Sequence, residues 1–325
     1  MKIPASIRRL YDDQNEICEK LKARVDSIIR PGLHHRWHYE SRIKTIESFT
    51  LKIESGRYNN PSALEDFFAA TIVVRNGSEI GDAVKLATDL FTFAYRRPEN
   101  DAETKKAPDA FPFDDLRFYL RWKDAAALPP TGLDGVLFEV QIKTFLQHAW
   151  SIATHDPIYK SDEASWSKMR IAYQIKAMLE HAELSIQEAV KLSSSDALAK
   201  SDGRTKVLKT FMTLVNELWK KENLPSDIRR LAENIMTLAK LVDVDAAALR
   251  VLLQEEKIEG RGPLIGNLSP YGAVLQTLID RKQGALNSAL VKKQKKSVLI
   301  PAEIAMPTGV NTTAWQQSAI FIKAI

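Results

Sequence analysis

Cysteine is nearly absent from this chain. Cys18 stands alone among 325 residues, which excludes an internal disulfide and any thiolate-based zinc motif. Its place in the apolar register of the first helical segment makes it a core residue. Long apolar runs are missing as well: no stretch approaches the roughly 18 to 20 residues that a bilayer span requires. The opening MKIPASIRRLYDDQNE lacks the apolar centre of a secretory signal. A cytoplasmic protein with no membrane partner is therefore expected. There is no internal repeat of the length that marks a solenoid. What remains is 45% hydrophobic and 27% charged, enough for one large domain or two ordinary ones. The net charge of +5 is a mild bias toward phosphate-bearing partners. The run Lys292, Lys293, Lys295 and Lys296 reads as a solvated face or connector rather than an RNA contact. The sparser set Arg42, Lys44 and Lys52 is more informative.

Periodicity divides the chain into elements. Residues 7–29 carry Ile7, Leu10, Ile17, Leu21, Val25 and Ile28 at mostly helical spacing, and Pro31-Gly32 ends them. The spacing predicts a second helix over 39–55, with Ile43, Ile46, Phe49 and Ile53 inward and Gly56 as its stop. On that reading Lys44, Ser48 and Lys52 stand at i, i+4 and i+8, a row of donors beside Arg42. FFAATIVV (67–74) is a continuous apolar run of strand length with Asp66 at its entrance. Residues 78–93 read as helix and 97–112 as a loop. LRFYLRWK (116–123) and VLFEVQIK (136–143) alternate as strands and should pair antiparallel. From Thr144 a helix carries Gln147, His148, Trp150 and His155. A longer one over 163–193 should turn Trp166, Ile171, Ile175, Met178 and Leu179 inward. SSSDALAKSDGR (193–204) is the clearest composition shift, giving domains at 1–195 and 205–325. The second is mainly helical, and its tail near VLIPAEIAM adds a strand or drapes over the surface.

The strand FEVQIKT (138–144) poses the functional question. Phe138, Val140 and Ile142 face one way; Glu139, Gln141 and Lys143 face the other. Taken alone, a carboxylate at 139 is a solvated outer-face residue. With Asp66 at the edge of another strand and basic donors upstream, it gains a second reading. Two carboxylates can hold Mg²⁺, whose hard-oxygen preference leaves positions for triphosphate oxygens. Arg and Lys then neutralise charge in phosphoryl-type transfer, and a sheet carboxylate can accept a hydroxyl proton. His34, His35 and His38 lie close in sequence and read as surface or phosphate contacts rather than metal ligands. Trp150 and Trp166 read as core.

These residues resemble the RelA/SpoT synthetase family. RIKTIESFTLK (42–52) is similar to its Arg-x-Lys, Ser and Lys motif, Asp66 with its apolar strand to its Asp motif, and FEVQIKT to its Glu-x-Gln-Ile-Arg-Thr motif. HAWSIATHDPIYK (148–160) resembles the Trp, His and Tyr-Lys spacing of the small alarmone synthetases. The resemblance covers about residues 5–195. It implies an α+β fold, a mixed sheet flanked by helices of the polymerase-β-like nucleotidyltransferase kind, with a helical C-terminal domain added. It also implies transfer of the β,γ-pyrophosphate of ATP to the 3′-hydroxyl of GDP or GTP with Mg²⁺. Asp66 and Glu139 would hold the metal, and Glu139 would activate the hydroxyl. Arg42, Lys44, Ser48, Lys52, Gln141, Lys143 and His155 would contact nucleotide, and a homo-oligomer is a further expectation. Ala69 and Thr71 stand where the family has Gly and Arg, and Lys143 where it has Arg. FDDLRFYLRW (113–122) occupies the place of the acceptor-guanosine motif. There Tyr119 stacks on a base and Arg117, Arg121 and Lys123 meet phosphates, or the strand is simply a basic outer face. Two rival functions follow: a toxin-type enzyme acting on the 3′ end of tRNA, and a catalytically degenerate module that binds nucleotide or RNA. The family's His-Asp hydrolase module has no counterpart in residues 1–40.

Overall fold

The computed structural model describes residues 1–58, 60–100, 116–124, 131–154, 165–292, 295–308 and 312–323. They fall into two compact units, Met1–Leu198 and Ala199–Ile325. None of their helices is long and apolar enough to cross a membrane.

The first unit opens with α1 (Ala5–Gly32), which buries Cys18, Leu21, Val25 and Ile29. The inward stripe runs through Cys18 and Ile29, one position along from Ile17 and Ile28, which stay partly exposed. The helix expected over 39–55 is instead β1 (His38–Ile43) followed by α2 (Ile46–Glu54). Sheet pairing overrides the helical spacing: β1 pairs antiparallel with β2 (Phe68–Val74), from His38 opposite Val73 to Ile43 opposite Phe68. Thr45 caps α2 by accepting the Ser48 N–H at 3.3 Å, and Gly56 ends this segment with a φ of +68° that few other residues adopt. Lys44 therefore precedes the helix, and no 44-48-52 row exists.

Beyond β2 come α3 (Ile80–Leu90), β3 (Thr92–Arg97), β4 (Leu116–Arg121) and β5 (Leu137–Thr144). The sheet order is β1-β2-β5-β4-β3, with β2 and β5 parallel and the other neighbours antiparallel. This is the mixed sheet with flanking helices that the sequence implied. The β4–β5 pairing is antiparallel as expected, whereas β3 occupies a stretch read as helix end and loop. One sheet face, with Phe68, Ile72, Phe118, Leu120, Phe138, Val140 and Ile142, packs into a continuous apolar core with α1 and α3. That burial fixes the register and sends Glu139, Gln141 and Lys143 to the opposite face.

On that opposite side lie α4 (Phe145–Thr154) and α5 (Trp166–Gln187), followed by α6 (Ala189–Ser193). The apolar stripe expected to turn inward on α5 does not do so: Trp166 is 78% exposed and Met178 63%. The helix buries Ala172, Lys176 and Glu183 instead. Glu183 accepts the Gly77 N–H at 2.7 Å, the Trp150 indole donates to the Ala172 carbonyl at 3.2 Å, and Lys176 lies over the Trp150 ring. Directional hydrogen bonds, not apolar area, set this helix's orientation, and periodicity does not record them.

The second unit is helical: α7 (Gly203–Leu218), α8 (Ile228–Leu241), α9 (Ala246–Ile258), α10 (Pro270–Arg281) and α11 (Gln283–Lys292). Asp202, Asp227, Asp245 and Ser269 cap four of them through side-chain oxygens. The tail supplies a strand, β6 (Val298–Ile300), paired parallel with β7 (Ala319–Phe321). Trp315, buried beneath it, donates to Asn287 at 2.8 Å.

Candidate active site

Register on the polar sheet face builds the site row by row, because residues opposite one another in neighbouring strands project to the same side. One row runs Arg42, Ala69, Glu139, Tyr119, Tyr95 across β1, β2, β5, β4 and β3. The next runs Glu40, Thr71, Gln141, Arg117, Arg97. Over the first row opens a pocket of about 570 Å³, whose lining includes Lys52, Tyr58, Asp66, Arg117, Tyr119 and Glu139. Arg57, Glu65 and Arg97 also line it.

Glu139 is 3% exposed, and both its oxygens are engaged: Tyr119 donates its hydroxyl at 2.7 Å and Gln141 its amide. Tyr119 stacks on Tyr95, ring centres 4.3 Å apart, and the Arg97 guanidinium lies over both rings. Burial, and then the Glu139 charge, push the Tyr119 hydroxyl well above its ordinary range, so it remains a donor. Asp66 receives two ammonium groups on one oxygen, from Lys44 at 3.1 Å and from Lys52. Burial works against its charge, but the Lys52 hydrogen bond and the two lysine charges outweigh it and hold the carboxyl below its usual value. Burial also pulls Lys44 down, against the attraction of Asp66. The other oxygen of Asp66, Oδ1, is buried and has no hydrogen-bond partner among the described residues. A bare, ionised carboxylate oxygen, with Asp66 and a second buried carboxylate lining the same pocket, fits a hard divalent cation such as Mg²⁺.

Of the residues singled out from sequence, Lys52, Asp66, Tyr119 and Glu139 line the pocket together. Lys44 joins them through Asp66, and Gln141 through Glu139. Arg42 stands in the Glu139 row on the exposed edge strand. Lys143 is two residues further along β5, and Ser48 sits in the first turn of α2, where its hydroxyl accepts from Thr45. His155 lies outside the described residues. Sequence reasoning missed Tyr95 and Arg97. Their signal was the short aromatic and basic alternation of TFAYRR, hidden by an irregularity between Phe93 and Tyr95 that breaks the simple two-residue period.

Residues 41–164 match the model of the region found in RelA and SpoT proteins. No curated protein matches the chain. Among solved structures, the chain is similar to small alarmone synthetase 1 from Bacillus subtilis bound to its product pppGpp, at 16% identity and a TM-score of 0.43, covering 59% of this chain and 100% of that one. It is similar to a GTP pyrophosphokinase family protein from Streptococcus pneumoniae at 17% identity and a TM-score of 0.42, covering 59% and 97%. The Bacillus subtilis synthetase 1 bound to AMPCPP aligns at 15% identity and a TM-score of 0.38, covering 58% and 99%. The similarity to RelA and SpoT proteins thus lies in residues 41–164, which contain the Asp66 and Glu139 motifs.

Proposed function

We propose that the first unit is a pyrophosphokinase that moves the β,γ-pyrophosphate of ATP to the 3′-hydroxyl of GDP or GTP. The observation that carries this reading is the single pocket in which the carboxylates Asp66 and Glu139 meet Lys52, Arg57, Arg97 and Arg117. The basic groups balance the triphosphate charge and the charge that spreads over equatorial oxygens during transfer. The acceptor oxygen forms a bond to the β-phosphorus of ATP as the bond from that phosphorus to the α,β-bridging oxygen breaks, releasing AMP. Glu139 takes the proton from the hydroxyl. Tyr119 is too deeply buried to offer its ring to a base, so it serves as a positioning residue that aims the Glu139 carboxylate. Among the described lining residues, the half-exposed Tyr58, lying against Lys52, offers an aromatic surface to a nucleobase. Asp66 and Glu139 would hold Mg²⁺, which neutralises triphosphate oxygens when bound.

The test is incubation of the full chain and its Glu139→Gln variant with γ-labelled ATP, Mg²⁺ and, separately, GDP, GTP or deacylated tRNA. Label should pass to GDP or GTP, and the variant should be slower by about 10²-fold or more. Transfer to tRNA alone would replace the acceptor. No transfer to any acceptor would leave a nucleotide-binding module in place of an enzyme.

A further inference from the structure

At the β1 edge of the same sheet face, away from the pocket, the structure brings together three side chains that sequence order separates. His38 and Glu40 are two residues apart on β1 and so project to one side. His148, on α4, meets them there: each of the three offers one ligand atom, and these atoms lie within 4.8 Å of one another. The His38 and His148 rings are 5.7 Å apart. Sequence reading grouped His38 with His34 and His35, but β1 carries it toward the α4 histidine. The second observation concerns His148 itself. It is only 8% exposed, and its Nδ1 is buried with no hydrogen-bond partner among the described residues. A bare ring nitrogen at that depth is costly unless something coordinates or bonds it.

We infer that His38, Glu40 and His148 form a binding site for a Zn²⁺-class transition-metal ion. Two imidazoles and one carboxylate make a three-ligand protein set for Zn²⁺, with a fourth position left for water or a phosphate oxygen. Bonds of about 2.0–2.2 Å in a tetrahedral array put ligand atoms roughly 3.4 Å apart. His38 and Glu40 are both exposed, which leaves their side chains room to close on the buried His148. The site is distinct from the Asp66 and Glu139 pair. Glu40 is two strands and one row removed from Glu139, roughly 10 Å by strand spacing alone. Metal there would tie the edge strand β1 to α4, which also packs against β2, β5 and α5.

The experiment is Co²⁺ and Zn²⁺ titration of the metal-free full chain. The readouts are the ligand-field absorption of bound Co²⁺, its displacement by Zn²⁺, and calorimetric stoichiometry. One equivalent should bind, with a four-coordinate cobalt spectrum. His148→Ala and His38→Ala should each weaken binding by about tenfold or more, and His34→Ala/His35→Ala should leave it intact. Glu40→Gln, an exposed change that does not challenge folding, should also weaken it and alter the spectrum. Absence of the cobalt bands, or binding lost with His34 and His35 but kept without His148 or Glu40, would overturn the site. The assay does not depend on pyrophosphate transfer, so its outcome is separable from that reading.

Discussion

Asp66 divides its two oxygens: one receives the ammonium groups of Lys44 and Lys52, and the other is buried with no hydrogen-bond partner among the described residues. Asp66→Asn should therefore abolish transfer and also leave Lys44 and Lys52 facing each other without a counter-charge. A loss of about 1–3 kcal/mol in denaturant unfolding of the first unit is expected. Adding Lys44→Met should return part of it, and a cycle with no coupling would refute the shared-counterion role. The pH dependence follows from the sign of the shift. The folded carboxyl titrates below its ordinary value of 3.8, so its contribution is complete above that pH and fades as pH falls through the lowered folded value. The stability difference between wild type and Asp66→Asn should accordingly stay flat from neutrality toward pH 4 and shrink only below it. Cys18 presents the opposite case. Burial pushes its thiol up to about 12, so a thiol reagent should leave it untouched in the native chain and label it at once in denaturant.

At the scale of elements, β5 and α5 show two different ways of fixing a polar group. In β5 the apolar face decides: once Phe138, Val140 and Ile142 are buried, Glu139 has one direction left. In α5 a few hydrogen bonds decide. Glu183→Ala removes the acceptor of the Gly77 N–H and should cost about 1–3 kcal/mol. Amide hydrogen exchange should show faster opening of 166–187 while β2 and β5 stay protected. Equal loosening of the sheet would mean that α5 is held by something other than this contact. The same contrast explains what was readable beforehand. FEVQIKT and FFAATIVV announced themselves as strands because alternation and continuous apolarity survive any neighbour. HYESRI was mistaken for helix because its strand form depends on pairing with β2, about thirty residues away.

For the whole molecule, the two apolar cores share no residue: one is built from residues between Cys18 and Ile142, the other from residues between Leu208 and Ala319. Leu278, fully buried in the second, should cost about 2–5 kcal/mol when cut to Ala. Calorimetry should show that loss in one transition, while the labelling rate of Cys18, which reports on the first core, stays at its wild-type value. A parallel rise in Cys18 labelling would show that the two units unfold as one.

The sequence by itself determined the elements whose pattern is local: α1, β2, β4, β5, the helical second unit, and the identities of Asp66, Glu139, Lys44 and Lys52 as groups worth placing. Only the tertiary structure decided which of them meet. Lys44 and Lys52 converge on one oxygen of Asp66 although they share no helix face. Tyr95 reaches Tyr119 because of an irregularity in β3. His148 finds His38 and Glu40 across the sheet. The physical reason is common to all three. Local propensity and burial act on residues a few positions apart, whereas a site is assembled by strand register and helix docking, which the chain settles only when distant segments pair.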